Sequence, residues 1–442
     1  MRKYDSYKDS GIEWIGEIPS HWGVSKYKFF FESGMGETIL KEDLTDNGDI
    51  PVFSATESDK IFGFVNNAKL LLQKNDLVIP ARGNSIGHLM IVEGLATCTQ
   101  TTIYFKNKSN IESKFAFYFA KGNQNILFQF DNTAIPQITV NQTKNNVILI
   151  PPYNEQTAIA NFLDQKTTQI DDLIAKKERL IQLLEEERTA IINQAVTKGL
   201  PAEERMKAGL DPNVPMKDSG IEWLGEIPAH WEVTKIKTVT IKIGSGVTPK
   251  GGAEIYELSG IPLLRSQNIY FDGFRLENVA YITSEIHDSM KNSQVQSGDV
   301  LLNITGGSIG RCYFVTNEFK EANVNQHVCI VRPNERIITE FLYYILSSTI
   351  GQQQIDLCQT GGNREALNFE QLKNFFLCLP KVDEQKNIVQ RLKTSLNNIN
   401  MTIETFRKEI ELINEYKTAL ISEVVTGKVD VRNENINQQV AI

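Results

Sequence analysis

Cysteine is scarce in this chain and follows no pattern. Five in 442 residues (Cys98, Cys312, Cys329, Cys358, Cys378) form no Cys-x-x-Cys pair, and four of them lie in the second half. This argues against a disulfide framework or a cysteine zinc site and points to a reducing cytoplasm. Apolar runs of membrane-spanning length are also missing, and Met1-Arg-Lys-Tyr-Asp-Ser-Tyr-Lys8 has no apolar core for a signal peptide. Positive charge is in deficit: 46 Lys and Arg against 54 Asp and Glu leave a net charge of −8. A protein that grips DNA unaided usually carries a basic face, so this balance argues against a free-standing DNA binder. The deficit is uneven, since residues 155–196 hold 8 acidic and 5 basic side chains. What remains, 41% hydrophobic and 23% charged, is ordinary globular composition with room for two to four domains.

What the chain does contain is a copy of itself. Lys8-Asp-Ser-Gly-Ile-Glu-Trp-Ile-Gly-Glu-Ile-Pro-Ser-His-Trp22 returns as Lys217-Asp-Ser-Gly-Ile-Glu-Trp-Leu-Gly-Glu-Ile-Pro-Ala-His-Trp231, and only Ile15/Leu224 and Ser20/Ala229 differ. The halves end alike too: Ala190-Ile-Ile-Asn-Gln-Ala-Val-Thr197 answers Ala419-Leu-Ile-Ser-Glu-Val-Val-Thr426. Such a duplication supplies an internal comparison. Parts kept alike do one job twice; parts that diverged do two jobs.

Each half has two sections. The first carries short apolar runs separated by Gly, Asn, Asp and Pro, such as Asp76-Leu-Val-Ile79 and Ile103-Tyr-Phe105, matched by Asp299-Val-Leu-Leu302 and Val328-Cys-Ile-Val331. These predict a small mixed sheet, with helices interleaved near Ser113–Ala120 and Thr339–Leu346. The second section begins after Pro151-Pro152 or Pro380, opens on Glu155-Gln156 or Glu384-Gln385, and runs about 40 residues without Pro or Gly. Apolar residues recur at Ile159, Leu163, Ile170, Ile174, Ile181, Leu184 and Ile191, and 229 residues later at Ile388, Leu392, Ile399, Ile403, Ile410, Ile413 and Leu420. That spacing makes a coiled-coil-like seam. A helix about 60 Å long needs a partner along its length, and the other copy is the simplest one. The predicted fold class is therefore α+β. The β-rich domains span 1–151 and 217–380 and the helices 152–198 and 381–427, with a Pro/Gly-rich linker at 199–216 and a flexible polar tail at 428–442.

The repeated block, joined to long helices that open on Glu-Gln, resembles the specificity subunits of type I restriction–modification systems. The likeness covers about residues 4–430 and includes Gly244-Ser-Gly-Val-Thr-Pro-Lys250, Ile261-Pro-Leu-Leu-Arg-Ser-Gln-Asn268, Gly306-Gly-Ser-Ile-Gly310 and Gly361-Gly-Asn-Arg364. It implies a non-catalytic subunit with two target recognition domains, each reading half of a split, asymmetric site in double-stranded DNA. The helices would pack as an antiparallel coiled coil that sets the gap. Two methyltransferase subunits and two restriction (motor-nuclease) subunits would assemble around them. S-adenosylmethionine, ATP and Mg²⁺ would belong to those partners, with no cofactor in this chain and no membrane partner.

Reading bases needs donors and acceptors carried into a groove by loops, with phosphate contacts fixing register. In the second reader the candidates are Arg265, Ser266, Gln267, Asn268, Asn325, Gln326, His327, Asn363 and Arg364, while Thr248, Lys250 and the loop around Ser308 suit phosphate. In the first they are Thr38, Ser54, Thr56, Arg82, Asn84, Ser85, Thr99, Gln100, Asn132 and Gln137. Any β-rich domain also fills its turns with such residues. His21 and His230 lack a nucleophile or ligand set beside them, so with Trp22 and Trp231 they read as structural.

Two fragments imitate catalytic motifs. Ile150-Pro-Pro-Tyr153 is similar to the Asn/Asp-Pro-Pro-Tyr/Phe motif of DNA amino-methyltransferases, but isoleucine cannot accept a hydrogen bond from the target amine. Asp299 with Glu318-Phe-Lys320 imitates a metal-dependent nuclease site, yet the first half has no matching lysine. The rival readings are a coiled-coil scaffold, a free-standing DNA-binding protein, and a degenerate or decoy specificity subunit.

Overall fold

A computed structural model describes residues 2–56, 60–83, 85–130, 136–207, 211–317, 319–359 and 366–434. The chain folds into two compact units, Met1–Glu178 with Phe406–Ile442, and Arg179–Thr405. Each unit therefore holds one β-rich section, the first half of its own long helix and the last half of the other. The compact units thus cut across the linear division into successive domains: neither long helix is a unit by itself.

The same framework is built twice. In unit 1 a four-stranded antiparallel sheet has the spatial order Phe31–Met35, Thr102–Asn107, Leu77–Pro80, Met90–Ile91. In unit 2 the order is Thr240–Ser245, Val328–Pro333, Val300–Asn303, Cys312–Phe314. Leu77–Pro80 and Val300–Asn303 are buried at every position, which explains why they read as unbroken apolar runs rather than alternating ones. Each is entered through a turn in the left-handed region, at Asn75 (φ 73°) and Gly298 (φ 92°). Asparagine and glycine tolerate that conformation best. Each unit also has a three-stranded sheet: Gly63–Val65, Ile50–Phe53 and Thr97–Cys98, or Ala280–Ile282, Ile261–Leu264 and Asn323–Val324.

The repeated block joins reader and helix. Trp22 and Trp231 are fully buried and meet Phe115 and Phe341 edge-on. Strand Gly23–Lys26 pairs with Val147–Ile150, and Glu232–Lys235 with Phe376–Leu379, so each block ends beside the entry to a long helix. Gln156 Oε1 accepts from the Glu112 N–H (2.9 Å), and Gln385 Oε1 accepts from the Ile338 N–H (2.8 Å). Glu112 and Ile338 cap the reader helices Ser113–Gly122 and Thr339–Ser347. Each glutamine also donates to the carbonyl of Pro151 or Pro380. One buried amide thus ties the long helix to its reader at the position after the shared glutamate.

The long helices are Tyr153–Thr197 and Val382–Val425. Along the apolar seam, Ile159, Leu163, Ile388, Leu392, Ile399, Ile403 and Leu420 are buried, and Ile170, Ile174, Ile181, Leu184, Ile191, Ile410 and Ile413 are half-buried. Within unit 1, Lys417 grips Asp171 (2.5 and 2.8 Å) and Lys177 grips Glu409 (2.6 Å).

Two segments differ from expectation. The linker contains a short helix, Ala202–Lys207, entered after Pro201 with two glutamates in its first turn, an arrangement that favours helix starts. The start of the tail is packed: Val429 and Val431 are buried in the unit 1 core and Asp430 bridges to Arg2. Two apolar residues alternating with polar ones are buried there, a signal that the polar residues beyond them concealed.

Candidate nucleic-acid interface

Strand direction decides which loops share an end. In unit 2 the sheet pairs Ser245 with Cys329 and Asn303 with Val328, so the loops after Ser245, before Val328 and after Asn303 emerge together. Hydrogen bonds join them. Thr248 Oγ1 donates to Gln326 Oε1, Gln326 Nε2 lies 3.0 Å from His327 Nε2, and His327 Nδ1 lies 2.6 Å from Thr305 Oγ1. Asn303 Nδ2 donates to the Ser266 carbonyl (2.8 Å) and to Ser308 Oγ (3.2 Å), bringing in the loop after Ile261–Leu264.

Within this cluster Thr248, Lys250, Gln267 and Gln326 are exposed; Arg265, Ser266, Ser308 and His327 are half-buried. Arg265 donates from Nη2 to the Asn278 carbonyl (3.1 Å) and lies over the Tyr256 ring, leaving Nε unpaired. Asn268 is buried, accepting from the Arg265 N–H and donating to the Arg275 carbonyl, so both ends of its amide are used inside the loop. Asn325 is buried and accepts from the His327 N–H. Asn363 and Arg364 lie outside the described residues.

Unit 1 repeats the arrangement with other residues. Met35 faces Ile103 and Pro80 faces Thr102, so the loops after both strands meet the 99–101 turn. Ser54, Thr99 and Thr101 form a hydroxyl triangle (2.8–3.3 Å), and Gln100 Oε1 accepts from the Ile39 N–H. Arg82 and Gln137 are joined by a backbone bridge. Arg82, Gln137 and Thr38 are all exposed. Ser85 is half-buried with an unpaired hydroxyl, Thr99 is buried, and Thr56 Oγ1 donates to the Lys60 carbonyl. Asn84 and Asn132 lie outside the described residues.

Sequence reading overlooked Tyr270, whose ring receives Arg275 (4.9 Å) and Arg311 (4.8 Å) beside this cluster. Arginines near an aromatic residue would have been the signal. It also overlooked the glutamates of the Glu-Gln pair as side chains. Glu155 accepts from Trp22 Nε1 (3.1 Å) and contacts His21 (2.9 Å); Glu384 contacts His230 (2.8 Å) and Arg205 (3.3 Å).

The nuclease-like Asp299 is fully buried and bound by Arg332 through Nε (2.7 Å) and Nη2 (2.9 Å), a structural ion pair. Glu318 lies outside the described residues. Among the described residues no cluster of His, Cys, Asp and Glu could hold a metal ion, and no helix is long and apolar enough to cross a membrane.

Comparison with known proteins agrees with the duplicated plan. The pattern of the type I restriction modification DNA specificity domain matches residues 19–183 and again 228–412. The chain is 27% identical over 432 residues to the type I restriction enzyme MjaVIII specificity subunit of Methanocaldococcus jannaschii, covering 95% of each protein. It is 26% identical over 302 residues to the EcoBI specificity subunit of Escherichia coli, covering 67% of this chain and 61% of that one. The fold is similar to a solved structure described as the basis of complex assembly and conformational transition of the type I R-M system, with a TM-score of 0.63 at 15% identity, covering 93% of this chain and 99% of the other. With the domain pattern present twice over most of its length, this protein belongs to the type I restriction–modification DNA specificity family, as a specificity subunit with two recognition domains.

Proposed function

We propose that each recognition domain reads one half of a bipartite, asymmetric DNA site and that the long helices set the gap between the halves. The observation that carries this reading is the pair of homologous loop clusters: same end of the same sheet, different residues in each. Divergence at equivalent positions is what two different half-sites require. In unit 2 the exposed Gln267 and Gln326, with Arg265, are the candidates for base edges, and Thr248 and Lys250 for phosphate. In unit 1 Arg82, Gln137 and Thr38 take these parts. Asn268, Asn325 and Thr99 act by shaping the loops; Asn84, Asn132, Asn363 and Arg364 stand on their sequence positions alone. The ion pairs Asp171–Lys417 and Lys177–Glu409, whose numbering rises in one helix as it falls in the other, support antiparallel packing of the helices.

The chain itself is non-catalytic in this reading. It docks two methyltransferase subunits, which bring S-adenosylmethionine and flip out the target adenine, and two restriction subunits, which bring ATP and Mg²⁺. The net charge of −8 fits a subunit that relies on partners for its grip on DNA. The test is co-expression with the neighbouring methyltransferase subunit in a methylation-free host, followed by sequencing of methylated adenines. A split motif with unlike halves and a fixed gap is expected. Four residues inserted into one helix, about 6 Å, should lengthen that gap. A stable complex that methylates nothing would instead identify a decoy subunit.

A further inference from the structure

Unit 2 contains a cleft with an unpaired arginine where unit 1, at the equivalent positions, has an ion pair. The cleft, about 600 Å³, lies between the reader and its helices and is lined by Arg188, Phe271, Tyr343, Tyr344, Lys393 and Asn400, among others. A second lobe of about 360 Å³ shares Arg188, Phe271 and Tyr343. Lys393 is neutralised by Glu340 (2.9 Å). Arg188 is half-buried, with no ion pair or hydrogen bond among the described residues, and its Nε is sealed from solvent. That Nε has lost water without gaining a partner, which is costly unless something else supplies the bond.

The duplication shows what is missing. At the positions 229 residues away, unit 1 has Lys417 where unit 2 has Arg188, and Asp171 where unit 2 has Asn400. Lys417 and Asp171 form a two-point ion pair. Close by, Asp164 accepts from Tyr118 (2.7 Å) and pairs with Lys114. Unit 1 thus matches its two cations, Lys114 and Lys417, with two carboxylates. In unit 2 the nearer pair is reversed, Glu340 with Lys393, and Asn400 removes the second carboxylate. At the positions equivalent to the Asp171–Lys417 pair, unit 2 therefore keeps a cation, Arg188, and lacks the carboxylate.

We propose that Arg188 and the tyrosine-lined cleft around it receive an Asp or Glu side chain presented by a docked methyltransferase subunit, in place of the carboxylate that unit 1 supplies from Asp171. This rests on the docking reading above. A protein carboxylate fits better than a phosphate backbone, because Asp272 and Asp356 also line the two lobes and would repel a run of negative charge. An arginine fork bonds one carboxylate through two parallel N–H groups. The rings of Phe271, Tyr343 and Tyr344 suit the stem of the side chain that carries it. It follows that the two methyltransferase subunits meet unequal surfaces, and that the one at unit 2 binds first.

The test titrates the purified full-length chain with purified methyltransferase subunit and resolves the two binding steps, using wild type, Arg188→Gln and Asn400→Asp. Asn400→Asp recreates the unit 1 pair, so it should raise the melting temperature of the isolated chain while weakening the first binding step. Arg188→Gln should weaken that step without lowering the melting temperature. The expected loss is about 10- to 100-fold, the range for a charged hydrogen-bonded partner, with the second step unchanged. Unaltered affinities in both variants, or no rise in melting temperature with Asn400→Asp, would overturn the inference. So would intact assembly with loss confined to DNA affinity, which would make the cleft a phosphate site. If the wild-type chain bound no methyltransferase subunit, the docking reading itself would fail, and this inference with it.

Discussion

Trp22 and Trp231 hold the same place in two copies of one block, and both are buried, yet only Trp22 uses its indole N–H. Trp22 donates to Glu155, whereas Trp231 Nε1 has no partner. The difference arises in the segments C-terminal to the two long helices. The segment after the first helix sends Arg205 to Glu384, while the chain after the second places Arg432 over Tyr4 beside the unit 1 block. A shared acid answers to different cations because its surroundings diverged. The block is therefore kept by what its tryptophan fills, more than by what the tryptophan bonds.

That comparison can be broken most forcefully by truncation. Trp22→Ala and Trp231→Ala should each cost about 3–5 kcal/mol in denaturant unfolding, as large-to-small changes in a packed core do; a loss well below that range at either position would mean that filling is not what keeps the block. Arg265→Ala should lose about 1–3 kcal/mol of discrimination at the half-site read by unit 2 and none at the other, scored from the methylated motif. Equal weakening on every sequence would assign Arg265 to phosphate. Trp22→Phe should cost about 1–3 kcal/mol more than Trp231→Phe, because only the first strands a buried carboxylate oxygen. The smallest effect is in the reversed ion pairs. Lys114→Glu, which sets like charges against Asp164, should cost up to about 1 kcal/mol, and adding Asp164→Lys should restore it by recreating the unit 2 pair. No recovery in that double-mutant cycle would show the two pairs are not equivalent.

Much of the framework was legible because its signals are local. The long helices announce themselves by Pro at entry, absence of Pro and Gly, and a heptad-like seam. The strands 77–80 and 300–303 read as apolar runs between turns. The candidate site was legible only as a set of polar loops. Exposure sorted its members: Gln267 and Asn268 are neighbours of similar chemistry, but one is exposed and the other spends its amide inside the loop. The helix at Ala202–Lys207 and the packed Val429 and Val431 were hidden by polar surroundings, since a short segment can be ordered by what it packs against.

The sequence by itself determined that the protein is a duplication, where each helix runs, and which sections were free to diverge, because repeat, periodicity and turn chemistry are written in consecutive residues. Only the tertiary structure decided that each compact unit takes half of each helix, that Gln156 and Gln385 clamp the readers, and that Lys417 finds Asp171 while Arg188 shares its cleft with Asn400. Asp171 and Lys417 are 246 residues apart. No local pattern encodes which charges meet over that distance, so the balance of a site emerges only when the chain has folded back on itself.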